Sequence, residues 1–323
     1  MKLTYEQIKE ITFGAVRTEK APDGIHFYKC TQKQIAAWER QSEFLGGGAA
    51  GSTGVRLDFH TSSQSLAFTV AAGGKFELYI DGVLRRQLLM GEQKSVTVPL
   101  CDALGHPHAE YRVTLVFPSH GAGGVLTELV LDDGATVHPH RHDIKMLFIG
   151  DSITQGWASK YDSFSYAWRV TRHFNADSVI QGIGGAYFEE SCFDVVDFDP
   201  EVVLLAYGTN DFSHRKSYEE CRAHMEAYLS LVAEHYGDKK VFVILPIWRD
   251  KREGKAMGSF EECRALLARE AEQRGFITVD GLSLVPPMPE FFEDAYLHPN
   301  DEGFSLYAEN LIIQLEKYLN GSK

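Results

Sequence analysis

The sequence predicts two domains of different class: an all-β sandwich or jelly roll over residues 1–139, followed by a three-layer α/β/α sandwich on a parallel sheet over residues 140–323. Three observations carry this expectation. At 323 residues the chain is longer than one ordinary core of about 100–200 residues accounts for. Near Lys145 the spacing of apolar residues changes, from short alternating segments to apolar runs separated by amphipathic stretches. The charge changes with it, since residues 1–140 carry 13 Lys and Arg against 15 Asp and Glu, whereas residues 141–323 carry 19 against 30.

In the first part, short β-branched or alternating segments recur between turn signals: VRLDFHT (55–61), SLAFTVA (65–71), KFELYI (75–80), KSVTVPL (94–100), EYRVTLVF (110–117) and VLTELVL (125–131). Asp81-Gly82 after KFELYI predicts a two-residue hairpin, because a type I′ turn needs positive φ at both central residues. LGGGAAGSTG (45–54) has no lysine placed as in a phosphate-binding loop and is expected to be a flexible loop. The polar segment DDGATVHPHRHD (132–143) reads as a solvated linker. Its alternating His138, His140 and His142 could face one metal from an extended chain, but no further ligand lies nearby in sequence, and no metal site is expected.

From Lys145 onward, KMLFIG, SVIQG, EVVLLAYG, KVFVILP and FITVD have the continuous apolar character of buried parallel strands. Amphipathic stretches at 164–174, 217–236, 259–274 and 302–319 lie between and after them, two opening on Ser followed by Glu, which suits a helix N-cap. Such alternation implies ligands at the carboxyl ends of the strands.

Composition narrows the function classes. Hydrophobic residues at 44% and charged residues at 24% are ordinary globular values. No apolar run approaches the ~20 residues of a membrane helix, and the opening MKLTYEQIKEITFGAV lacks the apolar core of a secretory signal. A cytoplasmic protein is expected. The net charge of −13 opposes phosphate backbones and anionic lipid, so no nucleic-acid or membrane partner is expected, while a homo-oligomer is compatible with the sequence. Cys30, Cys101, Cys192, Cys221 and Cys263 are odd in number and form no CxxC pair, which reads as reduced thiols.

Chemistry-bearing residues fall at successive strand ends. FIGDSITQG places Ser152 between the first strand and a helix, where a serine alone is an ordinary cap and needs a base to become a nucleophile. QGIGGAYF puts Gly182, Gly184 and Gly185 after the second strand, where glycine lets backbone approach a ligand. AYGTND puts Asn210 and Asp211 after the third, and an Asn side-chain N–H there can serve an oxyanion. EDAYLHPNDEGF places His298 before the last helix with Asp294 four residues earlier, a carboxylate suited to fixing an imidazole tautomer.

In this order, GDSIT, GIGG, GTND and DAYLHPN resemble the SGNH (GDSL) family of serine esterases and acylhydrolases over roughly residues 145–320. The resemblance implies an SGNH-type, flavodoxin-like α/β/α fold and a carboxylic ester hydrolase that needs no cofactor. It implies Ser152 as nucleophile, His298 as general base, and the N–H groups of Ser152 and Gly185 with the Asn210 amide as oxyanion hole, Gly182 being the alternative to Gly185. Asp294 completes the implied triad. The family usually has Asp three residues before His, where this chain has Ala295, so Glu293 or a dyad held by a backbone carbonyl are the alternatives. GDSI in place of GDSL is expected to alter packing alone.

A β-sandwich ahead of such a domain is similar to the architecture of family 2 carbohydrate esterases, a likeness without a diagnostic motif in residues 1–140. It implies short-chain, above all acetyl, esters on small-molecule or oligosaccharide substrates. Trp248 and Tyr187 are the candidate substrate-binding aromatics, and Trp157 also follows the nucleophile turn. A lysophospholipase or thioesterase of the same superfamily is the alternative, and a catalytically silent carbohydrate-binding protein the third reading.

Overall fold

The structure, a computed structural model, describes residues 1–91, 94–102, 104–120 and 123–319. By compactness the chain forms two units. One comprises Met1–Thr31, Ala50–His142 and Tyr161–Ser163, the other Gln32–Ala49, Asp143–Lys160 and the chain from Phe164 onward.

The first unit opens on a short helix, α1 (Tyr5–Glu10), held by a Thr4–Gln7 capping box. Its strands are β1 (Thr12–Phe13), β2 (Arg17–Ala21), β3 (Gly24–Tyr28), β4 (Arg56–Thr61), β5 (Ser65–Val70), β6 (Gly74–Ile80), β7 (Val83–Met90), β8 (Ser95–Pro99), β9 (Tyr111–Val116), β10 (Val125–Leu131) and β11 (Val137–Pro139). They form two antiparallel sheets. One has the order β1-β4-β9-β6-β7 with β11 also on β4, and the other β2-β3-β10-β5-β8. Alternate residues of both sheets, among them Phe27, Phe59, Phe68, Phe76, Leu115 and Leu129, share one buried core, which makes the unit a sandwich. The Asp81-Gly82 turn joins β6 to β7 with Ile80 opposite Val83 and φ of 52° and 76°, the signs a type I′ turn requires.

Two expectations are corrected. Residues 132–143 are not a free linker, because β11 within them pairs antiparallel with β4 and places His138 opposite His60. A single cut at 139/140 also does not describe the units, because residues 32–49 leave the first unit and belong to the second. They form α2 (Gln32–Gln41) and α3 (Glu43–Ala50). The glycine-rich stretch expected to be a loop is therefore largely helix. Ser42 caps it by accepting from the Leu45 N–H (3.2 Å), and Leu45 and Ala49 are buried. Gly46 serves close packing, since a Cβ there would lie 2.8 Å from Glu39 in α2.

The second unit holds β12 (Ile144–Gly150), α4 (Ser152–Gln155), α5 (Tyr166–His173), β13 (Ala176–Gly182), β14 (Val202–Ala206), α6 (Thr209–His214), α7 (Tyr218–Tyr236), β15 (Lys240–Ile244), α8 (Phe260–Glu272), β16 (Ile277–Val279) and α9 (Asp301–Leu319). Its five strands are all parallel in the order β13-β12-β14-β15-β16, the flavodoxin-like arrangement. Met146, Phe148, Ile180, Val202, Leu204 and Phe242 face a core completed by α5 and α9, which pack on each other. The alternate set, including Leu147, Ile149, Val203, Leu205 and Val243, is equally buried and points to the opposite face, under the buried sides of α7 and α8. Ser217 and Ser259 cap α7 and α8 as expected, the latter through a capping box with Glu262.

α2 is tied to the edge strand β13 by a reciprocal amide pair, Gln34 Nε2 to Gln181 Oε1 (3.1 Å) and Gln181 Nε2 to Gln34 Oε1 (3.0 Å), both side chains buried. None of the five cysteines forms a disulfide. Among the described residues no helix is long and apolar enough to cross a membrane.

Leu204 lies in the middle of the central strand and is 1% exposed. Leu204→Ala is expected to cost about 2–5 kcal/mol of stability through the cavity it opens, read as a lower urea midpoint at unchanged slope.

Candidate active site

The first parallel strand delivers a serine to the start of a helix. β12 ends at Gly150, and Asp151 caps α4 by accepting from the Ile153 N–H (2.9 Å). Ser152 is then the first residue of that helix, where a backbone N–H has no intrahelical partner. Its Oγ lies 2.8 Å from His298 Nε2. Asp151 is buried, and desolvation, with the Asp211 charge adding to it, raises its carboxyl from 3.8 to about 7 despite the hydrogen bond from Ile153.

His298 comes from a tight loop before α9. A bridge between Phe292 and Pro299 and the bond from the Glu293 N–H to the His298 carbonyl (2.9 Å) close it. Inside, Asp294 Oδ1 accepts from the backbone N–H groups of Tyr296, Leu297 and His298 at 3.1, 2.8 and 3.0 Å, and Oδ2 meets His298 Nδ1 at 2.6 Å. Partial burial alone would raise the Asp294 carboxyl, but the hydrogen bonds from the His298 ring and the three N–H groups outweigh it and hold the pKa below 3.8. The residue that lengthens the Asp-to-His spacing, Ala295, takes up the extra length in a left-handed conformation with φ of 59°. Asp294 therefore sits on the ring nitrogen, while the alternative Glu293 is exposed.

The glycine turn separates the two candidates in it. A Cβ on Gly182 would lie 2.3 Å from the Gln155 N, so this glycine lets β13 close on α4. Gly185 lies in the turn beyond, with φ of 82°. Among the described residues, neither its N–H nor that of Ser152 has an acceptor. Asn210 is the second residue of α6 and gives one amide hydrogen to the Ala186 carbonyl (2.9 Å), which fixes the side chain beside the glycine turn. Asp211 turns inward instead of lying on the rim. It is fully buried, accepts from the Phe188 N–H (3.2 Å) and from Arg215 Nε (3.3 Å), and desolvation raises its carboxyl despite the Arg215 charge.

Arg249, whose role the sequence did not disclose, braces this corner. Its buried Nη1 donates to the carbonyl and hydroxyl oxygens of Thr209 (2.9 and 3.0 Å) and to Ser213 Oγ (2.8 Å), so it holds both ends of the α6 turn that carries Asn210. The signal was available as an arginine in the short, mostly buried LPIWR segment that follows β15, where a guanidinium must find acceptors.

Tyr187 follows the glycine turn and lines a cavity of about 520 Å3 that Gly185 also borders. Trp248 is half-buried and packs on Phe292, with ring centroids 4.9 Å apart. Trp157 is 44% exposed. The three alternating histidines gather around His60 on the sandwich: His60 stacks against both His138 (5.0 Å) and His140 (5.2 Å), His138 meets Glu110 (3.1 Å), and the buried His142 ring lies 4.9 Å from that of His140 and 3.6 Å from Asp58.

A hydroxyl on an imidazole nitrogen whose partner nitrogen is held by a carboxylate is equipped to attack an acyl carbon. Residues 148–306 match the family described as GDSL-like lipase/acylhydrolase. The chain is similar in structure to a salicylyl-acyltransferase from a tetracycline biosynthetic pathway (TM-score 0.80, 18% identity, 96% of this chain and 94% of that one). It is also similar to a family two carbohydrate esterase from Clostridium thermocellum in complex with cellohexaose (TM-score 0.65, 18% identity, 96% and 99%). A third similar structure is an acetyl xylan esterase from the rumen bacterium Butyrivibrio proteoclasticus (TM-score 0.59, 14% identity, 84% and 90%). At such identities these likenesses show the fold. No curated protein sequence matches the chain.

Asp151 binds its proton more tightly in the folded chain, at about 7, than at the ordinary 3.8 of an exposed carboxyl. Its effect on stability is therefore absent below about pH 4 and grows as a penalty while the pH rises toward and through 7. Asp151→Asn keeps an acceptor for Ile153 and is expected to flatten the fall in Tm between about pH 5 and pH 8. An unchanged profile would contradict the burial argument.

Proposed function

The chain is a carboxylic ester hydrolase whose residues 148–306 belong to the GDSL-like lipase/acylhydrolase family, and we propose that it works through Ser152 as nucleophile, His298 as general base and Asp294 as the group that orients the base. The observation that carries this reading is the unbroken chain of contacts from Ser152 Oγ to His298 Nε2 (2.8 Å) and from His298 Nδ1 to Asp294 Oδ2 (2.6 Å). Asp294 keeps the Nδ1–H tautomer, which leaves the Nε2 lone pair for the serine proton, and its low pKa keeps it ionised at neutral pH to support the imidazolium that forms.

As Ser152 Oγ adds to the ester carbonyl, the carbonyl oxygen gains negative charge. The N–H groups of Ser152 and Gly185 and the second amide hydrogen of Asn210 are the donors for it, fixed before the reaction by the α4 start, the glycine turn and the Arg249 brace. Collapse of the adduct expels the alcohol, which takes its proton from His298. A water then attacks the acyl-serine with His298 again as base, and the acid leaves with Ser152 regenerated.

For the substrate we propose short acyl groups, acetyl first, on carbohydrate alcohols. Tyr187 beside the glycine turn and the half-buried Trp248 supply aromatic faces of the kind sugar rings use. The acidic second part of the sequence disfavours an anionic lipid surface. One of the similar structures is a family two carbohydrate esterase and another an acetyl xylan esterase by name, which agrees with the proposal.

Ser152→Ala is expected to lower kcat by ~10³-fold or more with the fold intact by circular dichroism, and undiminished hydrolysis would remove the assignment. Asp294→Asn is expected to lower kcat on the order of 10²–10⁴-fold, whereas Glu293→Gln should change it less than about twofold. A chain-length series of p-nitrophenyl esters, run beside acetylated xylo-oligosaccharides, is expected to peak at acetyl. A maximum at long acyl chains would overturn the short-chain reading.

A further inference from the structure

The α2–α3 excursion brings a side chain to the active-site turn that no strand-end motif contains. Phe44 of α3 is 61% exposed, although the next residue, Leu45, is buried. Its ring meets the half-exposed Trp157 edge-on, with centroids 6.3 Å apart and planes at 70°. Both rings close on the glycine turn: Phe44 Cζ and Trp157 Cε3 each lie 3.6 Å from the place a Cβ on Gly184 would take, and Phe44 Cε1 lies 3.7 Å from that place on Gly185. Two large aromatics are thus left in solvent against the backbone that offers an oxyanion donor, and exposed apolar surface at such a place marks a binding face.

The same ring forms a wall of the cavity of about 520 Å3 that Gly185 borders. That volume lies within the ~300–1,000 Å3 of small-molecule sites and is far more than an acetyl group fills. Its lining is mixed. Phe44, Leu45 and Tyr187 give apolar faces, while Ser42, His214 and Glu220 give hydrogen-bonding groups. Tyr187 is rigidly braced: its hydroxyl donates to Gln41 Oε1 (3.2 Å), Trp38 meets its ring at 5.8 Å, and the Arg215 guanidinium lies 4.9 Å from its centroid. Phe44 meets Trp157 by its edge and remains 61% exposed.

A site with an aromatic face and polar groups around it suits a sugar ring, whose C–H face stacks while its hydroxyls hydrogen-bond. We propose that Phe44 is the stacking platform for the sugar that carries the ester, seated in the groove beside Gly185, and so a specificity-determining residue of the enzyme. The inference rests on the carbohydrate-ester reading above.

The test compares kcat/KM on an acetylated xylo-oligosaccharide with kcat/KM on ethyl acetate, which has no ring. Phe44→Ala is expected to lower the ratio of the two about tenfold, and Phe44→Tyr to restore it to within about twofold. An unchanged ratio in Phe44→Ala overturns the platform and leaves the esterase reading standing. Isothermal titration of the deacetylated oligosaccharide into Ser152→Ala, with and without Phe44→Ala, separates the two ideas. Binding that Phe44→Ala weakens about tenfold, in an enzyme that spares the acetylated sugar, overturns the carbohydrate-ester reading and with it the specificity role, and leaves Phe44 a sugar contact alone. Absence of binding together with absence of sugar-ester hydrolysis overturns both.

Discussion

A parallel sheet must end all its strands on one edge, and that constraint assembles the site. β12, β13 and β14 are neighbours in the order β13-β12-β14, so the residues that follow them emerge side by side although they are far apart in sequence. Ser152, Gly185 and Asn210 each follow a different one of these strands. The order reverses at β12, where connections to its two neighbours depart on opposite sides of the sheet and leave a crevice. His298 comes from no strand, and its placement depends on the helices instead. Tyr166 of α5 stacks on Tyr307 of α9 at 4.1 Å and shares a hydrogen bond with Thr154 of α4 (2.8 Å). The helix that begins at Ser152 and the helix that follows His298 are thereby set by one pair of buried rings.

Polar groups at this edge are held by being satisfied, and apolar packing plays the smaller part. Asp294 takes three backbone N–H groups on one oxygen and the imidazole on the other, which fixes loop and His298 ring together. The left-handed Ala295 is a modest local cost, offset by that set of hydrogen bonds. Arg249 does for α6 what Asp294 does for the His298 loop. Its buried charge reaches three acceptors around Asn210, so losing one partner would leave a desolvated guanidinium behind.

Most of the candidate site was legible because its signals are local. A serine after an apolar strand, an Asn in GTND and a His before the last helix can be recognised without knowing what they touch, and the parallel sheet supplies the rest. The Asp294 assignment needed one fact that spacing could not provide, the left-handed turn at Ala295. What escaped the sequence depends on distant partners. α2 is held by Gln181, 147 residues from Gln34, and nothing near Gln34 announces that bond. Per-residue propensity misread α3, because its three glycines lower intrinsic helicity while one of them, Gly46, permits the close approach of α2. β11 was hidden in a polar, proline-containing stretch whose strand character comes from pairing with β4.

The interleaved course of the chain has a consequence for how such a molecule could have arisen and how it can be taken apart. The backbone passes from one unit to the other five times, at residues 31/32, 49/50, 142/143, 160/161 and 163/164. Neither unit is a contiguous stretch of sequence. A gene fragment beginning near residue 143 would encode Ser152 and His298 but not α2 and α3, and would bare Gln181 without its amide partner. The sandwich is thus no detachable cassette: exchange of modules by recombination at one linker is closed to this architecture, and its two halves are bound to diverge as a single heritable piece.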